Sequence, residues 1–410
     1  MVSVPRFITL AAAAATVPCL RAQDLFQTFR PQAPSGFQSL PNTPSERRGM
    51  DWEDEAKEVL DPLEFGISSS LYYDSNISLA GAAPGGASGG DMVLAISPTI
   101  SYRTPGRRWW LGFDGGMNYE TFFDHSDLSN LSYAAVASGG FQGAKLSVEG
   151  RIGYSLSEGA NRYAGGRVEE GTLALALAAK YTLSPKTSIS STFTHSVSDG
   201  SGALASDTTN TSFALGAMWK ATPLIQLGPE LLWTYSDGTR QVDRDAFRPA
   251  INIDYRLGRK IHLSSSLGVE FADYGNSGTD TSFAGSFAIR YRGSAFWSTE
   301  LGFYQGTTPD SFTPGSYRES TAIRLAYQHR LGRGRLDLGL GWENSDLKAQ
   351  GGGGVPGVNA SQEYLAFQAS YSRPIFADRA EGAVFYEWSD QSGFRSYDRH
   401  VVGLRVTARF

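Results

Sequence analysis

The chain has 410 residues, of which 41% are hydrophobic, 12% aromatic and only 19% charged, with 47 glycines. A formal net charge of −5, with no clustered basic face to offset it, excludes the electrostatic footprint of a nucleic-acid binder. One cysteine, Cys19, excludes a disulfide framework.

The chain begins with what reads as an address. Arg6 supplies a positive flank, Phe7 to Val17 is apolar and Ala-rich, and Leu20-Arg21-Ala22 offers a small residue at a cleavage point. Residues 1–22 are therefore expected to be a secretory signal peptide, too short in its apolar run to span a bilayer. Cys19 lies inside it, and Val17-Pro18 fit a lipoprotein signal poorly, so the processed chain carries no thiol.

Residues 23–61 form a tether. Pro31, Pro34, Pro41 and Pro44, among Gln, Ser and Asn, cannot bury enough apolar surface to fold. Asp51 to Leu60 has good helix formers, with acidic residues in the first turn, where they meet the positive end of the dipole, and Asp61-Pro62 stops it. A short exposed helix is the plain expectation, and a periplasmic plug or a partner-binding segment the sharper one.

From residue 62 to 410 the pattern is alternation. No later apolar run approaches the roughly 20 residues of a membrane helix. Segments with one apolar face follow one another between Gly, Pro, Asn, Asp and Ser: Leu63, Phe65, Ile67, Leu71 and Tyr73; then Met92, Leu94, Ile96, Ile100 and Tyr102; then Trp109, Leu111, Phe113, Met117 and Tyr119. Phe247, Ile251, Ile253 and Tyr255 alternate likewise with Arg248, Asn252, Asp254 and Arg256, and Ile323, Leu325 and Tyr327 with Arg324, Gln328 and Arg330. Eight short turns, as at Thr104-Pro105-Gly106 and Ser184-Pro185, alternate with nine longer polar connections near 75–90, 124–130, 157–167, 199–208, 236–243, 273–280, 305–317, 345–361 and 389–397. That count predicts an all-β, closed antiparallel transmembrane barrel of about 18 strands, within a range of 16 to 20, with short periplasmic turns and longer extracellular loops. Ten residues at about 3.3 Å each, tilted about 45°, rise roughly 23 Å, the height of an outer-membrane apolar band. Aromatics including Trp109, Trp110, Phe122, Phe123, Trp219, Trp233, Trp342 and Trp388 fall mostly near segment ends, where girdles sit at the headgroups.

The last segment, His400 to Phe410, puts Val402, Leu404, Val406, Ala408 and Phe410 on one face and Arg405, Thr407 and Arg409 on the other. It is expected to pair back onto the first strand, because a bare sheet edge in lipid costs several kcal/mol per backbone group. Phe410 is also the expected handle for the barrel-assembly machinery, and the other expected partners are the lipid bilayer of the outer membrane and a periplasmic protein meeting 23–61.

The stretch Pro62 to Leu79, with Tyr72-Tyr73-Asp74-Ser75-Asn76-Ile77 before a Gly-rich loop and many hairpins, resembles the outer-membrane barrels called putative beta-barrel porin 2. That resemblance covers most of 62–410 in style. It implies a porin-like channel, or a barrel serving envelope polysaccharide export, and it hands over no catalytic residue.

Enzyme chemistry is not expected. His125-Ser126, His195-Ser196 and His262 with Ser264 set a base beside a hydroxyl, but lack an orienting group and an oxyanion site. The five histidines show no metal-ligand spacing, and no cofactor motif is present; Gly85-Gly86 and Gly351 to Gly354 lack the Lys and the strand-to-helix context of a phosphate loop. The lumen face is expected to carry Asp114, Asn118, Glu120, Arg151, Arg248, Asp254, Arg256, Arg290, Arg324, Gln328, Arg330, Asp337 and Arg405 as pore-lining residues. Both signs occur, so strong ion selectivity is not expected, and bridging of charges along the wall is the plain alternative. The functional expectation is passive diffusion of small hydrophilic solutes across the outer membrane.

Overall fold

The computed structural model describes residues 63–410 apart from 80–88, 105, 107, 163–165, 202–206, 240–242, 276–277, 310–315, 350–359, 377–378 and 394–395. The expected signal peptide and tether at 1–61 lie outside the described residues.

Alternation becomes strand wherever one face can meet lipid and the other water. In chain order the strands are β1 (Leu63–Asp74), β2 (Asp91–Arg103), β3 (Trp109–Phe122), β4 (Asn130–Gln142), β5 (Leu146–Asn161), β6 (Gly166–Ser184), β7 (Thr187–Ser201), β8 (Thr208–Lys220) and β9 (Ile225–Gly238). They continue as β10 (Arg244–Leu257), β11 (Ile261–Asp273), β12 (Thr279–Arg292), β13 (Trp297–Pro309), β14 (Ser316–Leu331), β15 (Gly334–Ala349), β16 (Ala360–Ile375), β17 (Ala380–Gly393) and β18 (Tyr397–Arg409). Each pairs antiparallel with its sequence neighbours, and β1 pairs with both β2 and β18, so the 18-stranded sheet closes on itself. The closure runs from Gly66 opposite Arg409 to Asp74 opposite Val401 and is finished by reciprocal backbone bonds between Phe65 and Phe410, at 3.1 and 2.8 Å. Among the described residues no helix is long and apolar enough to cross a membrane; the strands are what cross.

The two faces differ as lipid and water require. Leu111, Ile251 and Leu404 are 65%, 56% and 58% exposed, while inward neighbours such as Asn118, Glu120, Asn252 and Ser266 are each 1% exposed. A soluble fold inverts that order. The outer face also carries an aromatic boundary on the long-loop side, where Trp233, Trp342 and Trp388 donate their indole N–H groups to Asp245, Glu363 and Asp398 at 2.7, 2.8 and 2.8 Å. Two expected girdle residues sit elsewhere. Phe122 is 4% exposed and packs inside with Tyr72, Ile77 and Phe385, and Trp110 stacks under the Arg103 guanidinium at 4.3 Å, because both have the inward parity of β3.

Eighteen strands about 4.8 Å apart and tilted about 40° close to a cylinder roughly 36 Å across, backbone to backbone. That is too wide for wall side chains alone to fill, so whatever narrows the lumen must come from elsewhere in the chain.

Candidate functional site: a strapped lumen

The expected loop at 157–167 is mostly strand. Its Ser, Gly and Asn residues read as turn formers, yet β5 runs to Asn161, β6 begins at Gly166, and the two stay paired to the Asn161–Gly166 rung. The ladder between β4 and β5 ends at Leu156, so the hairpin continues past the wall that holds it. Its tip reaches the far side of the barrel. Arg162 places Nη2 2.5 Å from Oε2 of Glu343 on β15, and β15 stands eight strands from β5 in one direction and ten in the other. The same guanidinium lies 4.0 Å from the Tyr364 ring on β16, and Gln391 of β17 donates Nε2 to the Arg162 carbonyl at 3.3 Å. Ala160 is buried among Leu79, Tyr364, Ala366 and Tyr397. The hairpin is therefore a strap across the lumen, tied by an ion pair, a cation–π contact and a small apolar seat.

On the near side the strap has a second foot. Arg167 on β6 sits 5.1 Å from the Phe122 ring and donates Nη2 to the Leu128 carbonyl at 3.2 Å. Ser75–Leu79, just past β1, turns inward too. Ile77 joins Tyr72, Val93, Phe122 and Phe385 in one buried cluster, and Asn76 is held by its backbone N–H to Asp74 Oδ1 at 3.0 Å and by its side chain to the Asp398 carbonyl at 3.2 Å.

Beneath these pieces the inner wall is a set of paired charges. Arg399 grips Asp74 through Nε, at 2.9 and 3.0 Å to the two oxygens, and through Nη2 at 2.5 Å; both side chains are nearly sealed from water. Glu120 accepts from Tyr72 Oη at 3.3 Å, Asn118 Nδ2 at 3.1 Å and Asn130 Nδ2 at 3.4 Å, and Ser97 in turn donates to Asn118 at 2.8 Å. Arg244 pairs with Glu270, and Arg318 donates to Ser345 and Gln362 at 3.1 and 2.7 Å. Near the same rim Tyr274, just beyond β11, stacks on Tyr317 at 4.8 Å; burial pushes its phenol up to about 12, so it stays a neutral hydrogen-bonding group.

The expected pore-lining residues all carry the inward parity of their strands, and the structure brings them together only in part. Asn118 and Glu120 share the buried network above. Arg151 donates Nε to Glu149 at 2.7 Å, Asp254 is bonded to His262 Nε2 at 2.7 Å with Arg256 at 3.8 Å, Arg290 donates to Glu300 at 2.6 Å, and Asp337 accepts from Arg335 at 2.8 Å. Arg248 is one diagonal step from Glu230, which also takes Asn252 Nδ2 at 3.2 Å, and Arg324 stands opposite Gly302, one rung from Glu300. Arg405 lies 4.9 Å from the Phe385 ring. Asp114 is half-buried, and Gln328 and Arg330 are exposed toward the short-turn end. Most of these charges are bridged along the wall, and the residues that cross the lumen, Arg162 and Leu79, come from segments that the sequence reading left as loops. His125, in a connection, reads as structural: its Nδ1 lies 3.0 Å from Asp91, which also takes the backbone N–H groups of Asp124 and His125. His195 lies within β7 against Thr211 at 3.0 Å. Among the described residues no three His, Cys, Asp or Glu side chains gather as a metal site.

A closed antiparallel cylinder with an even number of strands, an apolar outside, a polar inside, short turns at one end and a lumen-crossing hairpin from the other defines a transmembrane β-barrel of the outer-membrane type. No protein-family model and no curated protein sequence matches the chain. Solved structures that are similar in shape include OpdK from Pseudomonas aeruginosa, at 11% identity over 85% of this chain and 99% of that one with a TM-score of 0.46. OccAB3 from Acinetobacter baumannii aligns at 10% identity, 85% and 99% coverage and TM-score 0.48, and the FrpB iron transporter from Neisseria meningitidis at 8%, 88% and 83%, and 0.48.

Proposed function

We propose that the chain is an outer-membrane channel for passive diffusion of small hydrophilic solutes, in which the β5–β6 strap sets the width of the passage. The observation that carries this reading is the continuous polar, charge-bearing inner face of a closed wall whose outer face is apolar. A two-stranded ribbon is about 10 Å wide, while a cylinder roughly 36 Å across keeps about 25 Å after one layer of side chains, so a strap divides such a lumen without filling it. Passage then depends on pore width and wall charge, with no bond chemistry and no cofactor. Bridged pairs such as Arg151–Glu149 and Arg290–Glu300 cancel locally, which favours weak selectivity by sign. Purified protein in a planar bilayer should give discrete conductance steps.

A second reading is favoured by one observation, the strap's tie to the opposite wall through Arg162 and Glu343. In it the barrel is a structural or secretion component of an envelope polysaccharide exporter, shut until a partner releases the strap. The resemblance of Tyr72 to Ile77 to putative beta-barrel porin 2 fits either. Silence of the wild type, with steps in a strap-released variant, would favour the second.

A further inference from the structure

The strap divides the wall into two unequal arcs. It leaves from β5 and β6 and is tied to β15, β16 and β17, so β7 to β14 stand on one side of it and β18 with β1 to β4 on the other. The smaller arc is filled. Tyr72 of β1, Val93 of β2, Phe122 of β3 and Val401 of β18 each send a nearly sealed side chain inward, where they meet Ile77 and Phe385. Leu79 carries the seal on to Ala160 of the strap itself. In the larger arc the buried group of Ala246, Ala272, Tyr274 and Tyr317 lies at the long-loop end of β10, β11 and β14, and the inner wall below it is polar, as at Arg248, Asn252, Ser266 and Ser286.

The larger arc opens on a stretch of wall unlike the rest. Along β7 every inward position from residue 188 to 198 is a hydroxyl: Ser188, Ser190, Thr192, Thr194, Ser196 and Ser198. The adjoining inward positions, 172–178 on β6 and 208–216 on β8, are Thr, Ala, Asn, Ser and Gly, so three neighbouring strands present no charge over most of their height. Farther round the arc the charges stand in pairs, Glu230 beside Arg248, Arg244 with Glu270 and Arg290 with Glu300. We propose that the passage runs through the β7–β14 arc and that the β7 hydroxyl column makes it selective for uncharged polyhydroxylated solutes, such as small sugars, over ionised solutes of the same size; this rests on the channel reading. An ion that sheds water against such a wall finds no counter-charge, whereas a hydroxyl both donates and accepts and replaces the water bonds that a neutral solute gives up. Inward positions recur about every 6.8 Å along a strand, so a solute hydroxyl passes from one side chain to the next. Thr194 already shares a bond of this kind with Ser212, at 2.6 Å, and Thr194, Ser196 and Asn210 keep part of their surface open to the lumen.

Two measurements on the full chain test this. Cys19 is the only cysteine, so in a Cys19→Ser background Ser196→Cys supplies a single thiol on the column. Reaction with a bulky uncharged methanethiosulfonate, followed by mass, should cut bilayer conductance by about half or more. A thiol that does not react, or full modification with conductance unchanged, overturns the path. The second measurement is swelling of protein-loaded liposomes in glucose, glucuronate or glucosamine. Glucose should enter about threefold faster than either ionised sugar, and Thr194→Val with Ser196→Ala should lower the glucose rate about fivefold and abolish the preference. Thr194→Ser, which keeps the hydroxyl, should retain the preference and so separates a lost bond from a misfolded barrel. Equal rates for the three sugars, or a preference that survives loss of both hydroxyls, overturns the selectivity while leaving the channel reading in place. Silence of the wild type and of Arg162→Ala alike, to every sugar and in the bilayer, overturns the channel reading and this inference with it.

Discussion

Replacing Glu343 with Gln keeps the shape of the side chain and removes the charge that Arg162 was brought across the barrel to meet. Arg162 is 4% exposed and Glu343 16%, so the pair is screened far less than a surface bridge. Unit charges about 4 Å apart attract by about 4 kcal/mol at an effective dielectric of 20, and breaking a buried pair by losing one partner typically costs about 3–5 kcal/mol. The residual exposure of Glu343 argues for the lower figure, about 3 kcal/mol. The Tyr364 contact and the Gln391 bond survive the change and keep the strap from leaving altogether. A loss of about 3 kcal/mol raises the population of strap-released states roughly 150-fold. Single-channel recording should therefore show Glu343→Gln flickering between the wild-type level and a larger one, with Arg162→Ala, which removes all the side-chain ties, dwelling longer in the larger. Glu319→Gln, whose carboxylate pairs with Lys348 near the loop rim, serves as the control and should behave as wild type. If Glu343→Gln and Arg162→Ala both conduct with wild-type amplitude and noise, then either the strap is not held by this pair or it does not stand in the path, and the reasoning fails.

Other consequences follow from the wall. Asp74→Asn leaves Arg399 buried without its counter-charge, so the barrel should lose about 3–5 kcal/mol of stability, read as an earlier urea midpoint with an unchanged slope. Ile251→Arg puts a cation on the lipid face near mid-strand and should cost about 2–4 kcal/mol, while the same change at the adjacent inward Asn252 should cost less in bilayer insertion and act through crowding of Glu230. Deleting Phe410 removes both backbone bonds to Phe65 at the closure of the sheet, and folded, heat-modifiable barrel on a gel should fall sharply relative to a Phe410→Tyr variant. Gly403→Leu should perturb the strap end of the lumen without touching lipid, because a Cβ there would already lie 2.5 Å from Tyr72 Cβ and 2.7 Å from the Phe385 ring; loss of the buried Tyr72 environment can be followed by near-UV circular dichroism.

The wall was legible because its physics is local. Side-chain direction repeats every two residues, so Leu63 to Tyr73 or Phe247 to Tyr255 declare a lipid face on their own, and turn residues such as Gly258 and Gly332, both at positive φ, punctuate them. Strand number and closure then follow by counting. The lumen was much less legible. Inward positions have no preferred composition, since water accepts Ser, Ala, Arg and Tyr alike, and the alternation that marks a wall strand is absent from Ser157 to Arg162, where both faces of the hairpin are partly covered. Arg162 looked like a loop residue because nothing in its own neighbourhood names its partner, which lies 181 residues away. Phe122 and Trp110 show the same limit from the other direction: an aromatic near a strand end suits a girdle or an inner cluster, and only strand parity separates the two.

That division between wall and lumen also explains where charge is tolerated. Lipid-facing positions along the middle of the strands exclude ions, so the chain's Arg, Lys, Asp and Glu are confined to the inside and to the two rims. Inside, at fixed register, opposite charges are brought within a rung of one another and become bridges such as Arg290–Glu300, or, where a segment leaves the wall, a tie such as Arg162–Glu343. At the short-turn rim no register imposes pairing, and like charges accumulate on neighbouring turns, from Arg259 and Lys260 round to Arg333 and Arg379. Such a ring repels itself, a cost that persists only where solvent, lipid or an acidic neighbour screens it.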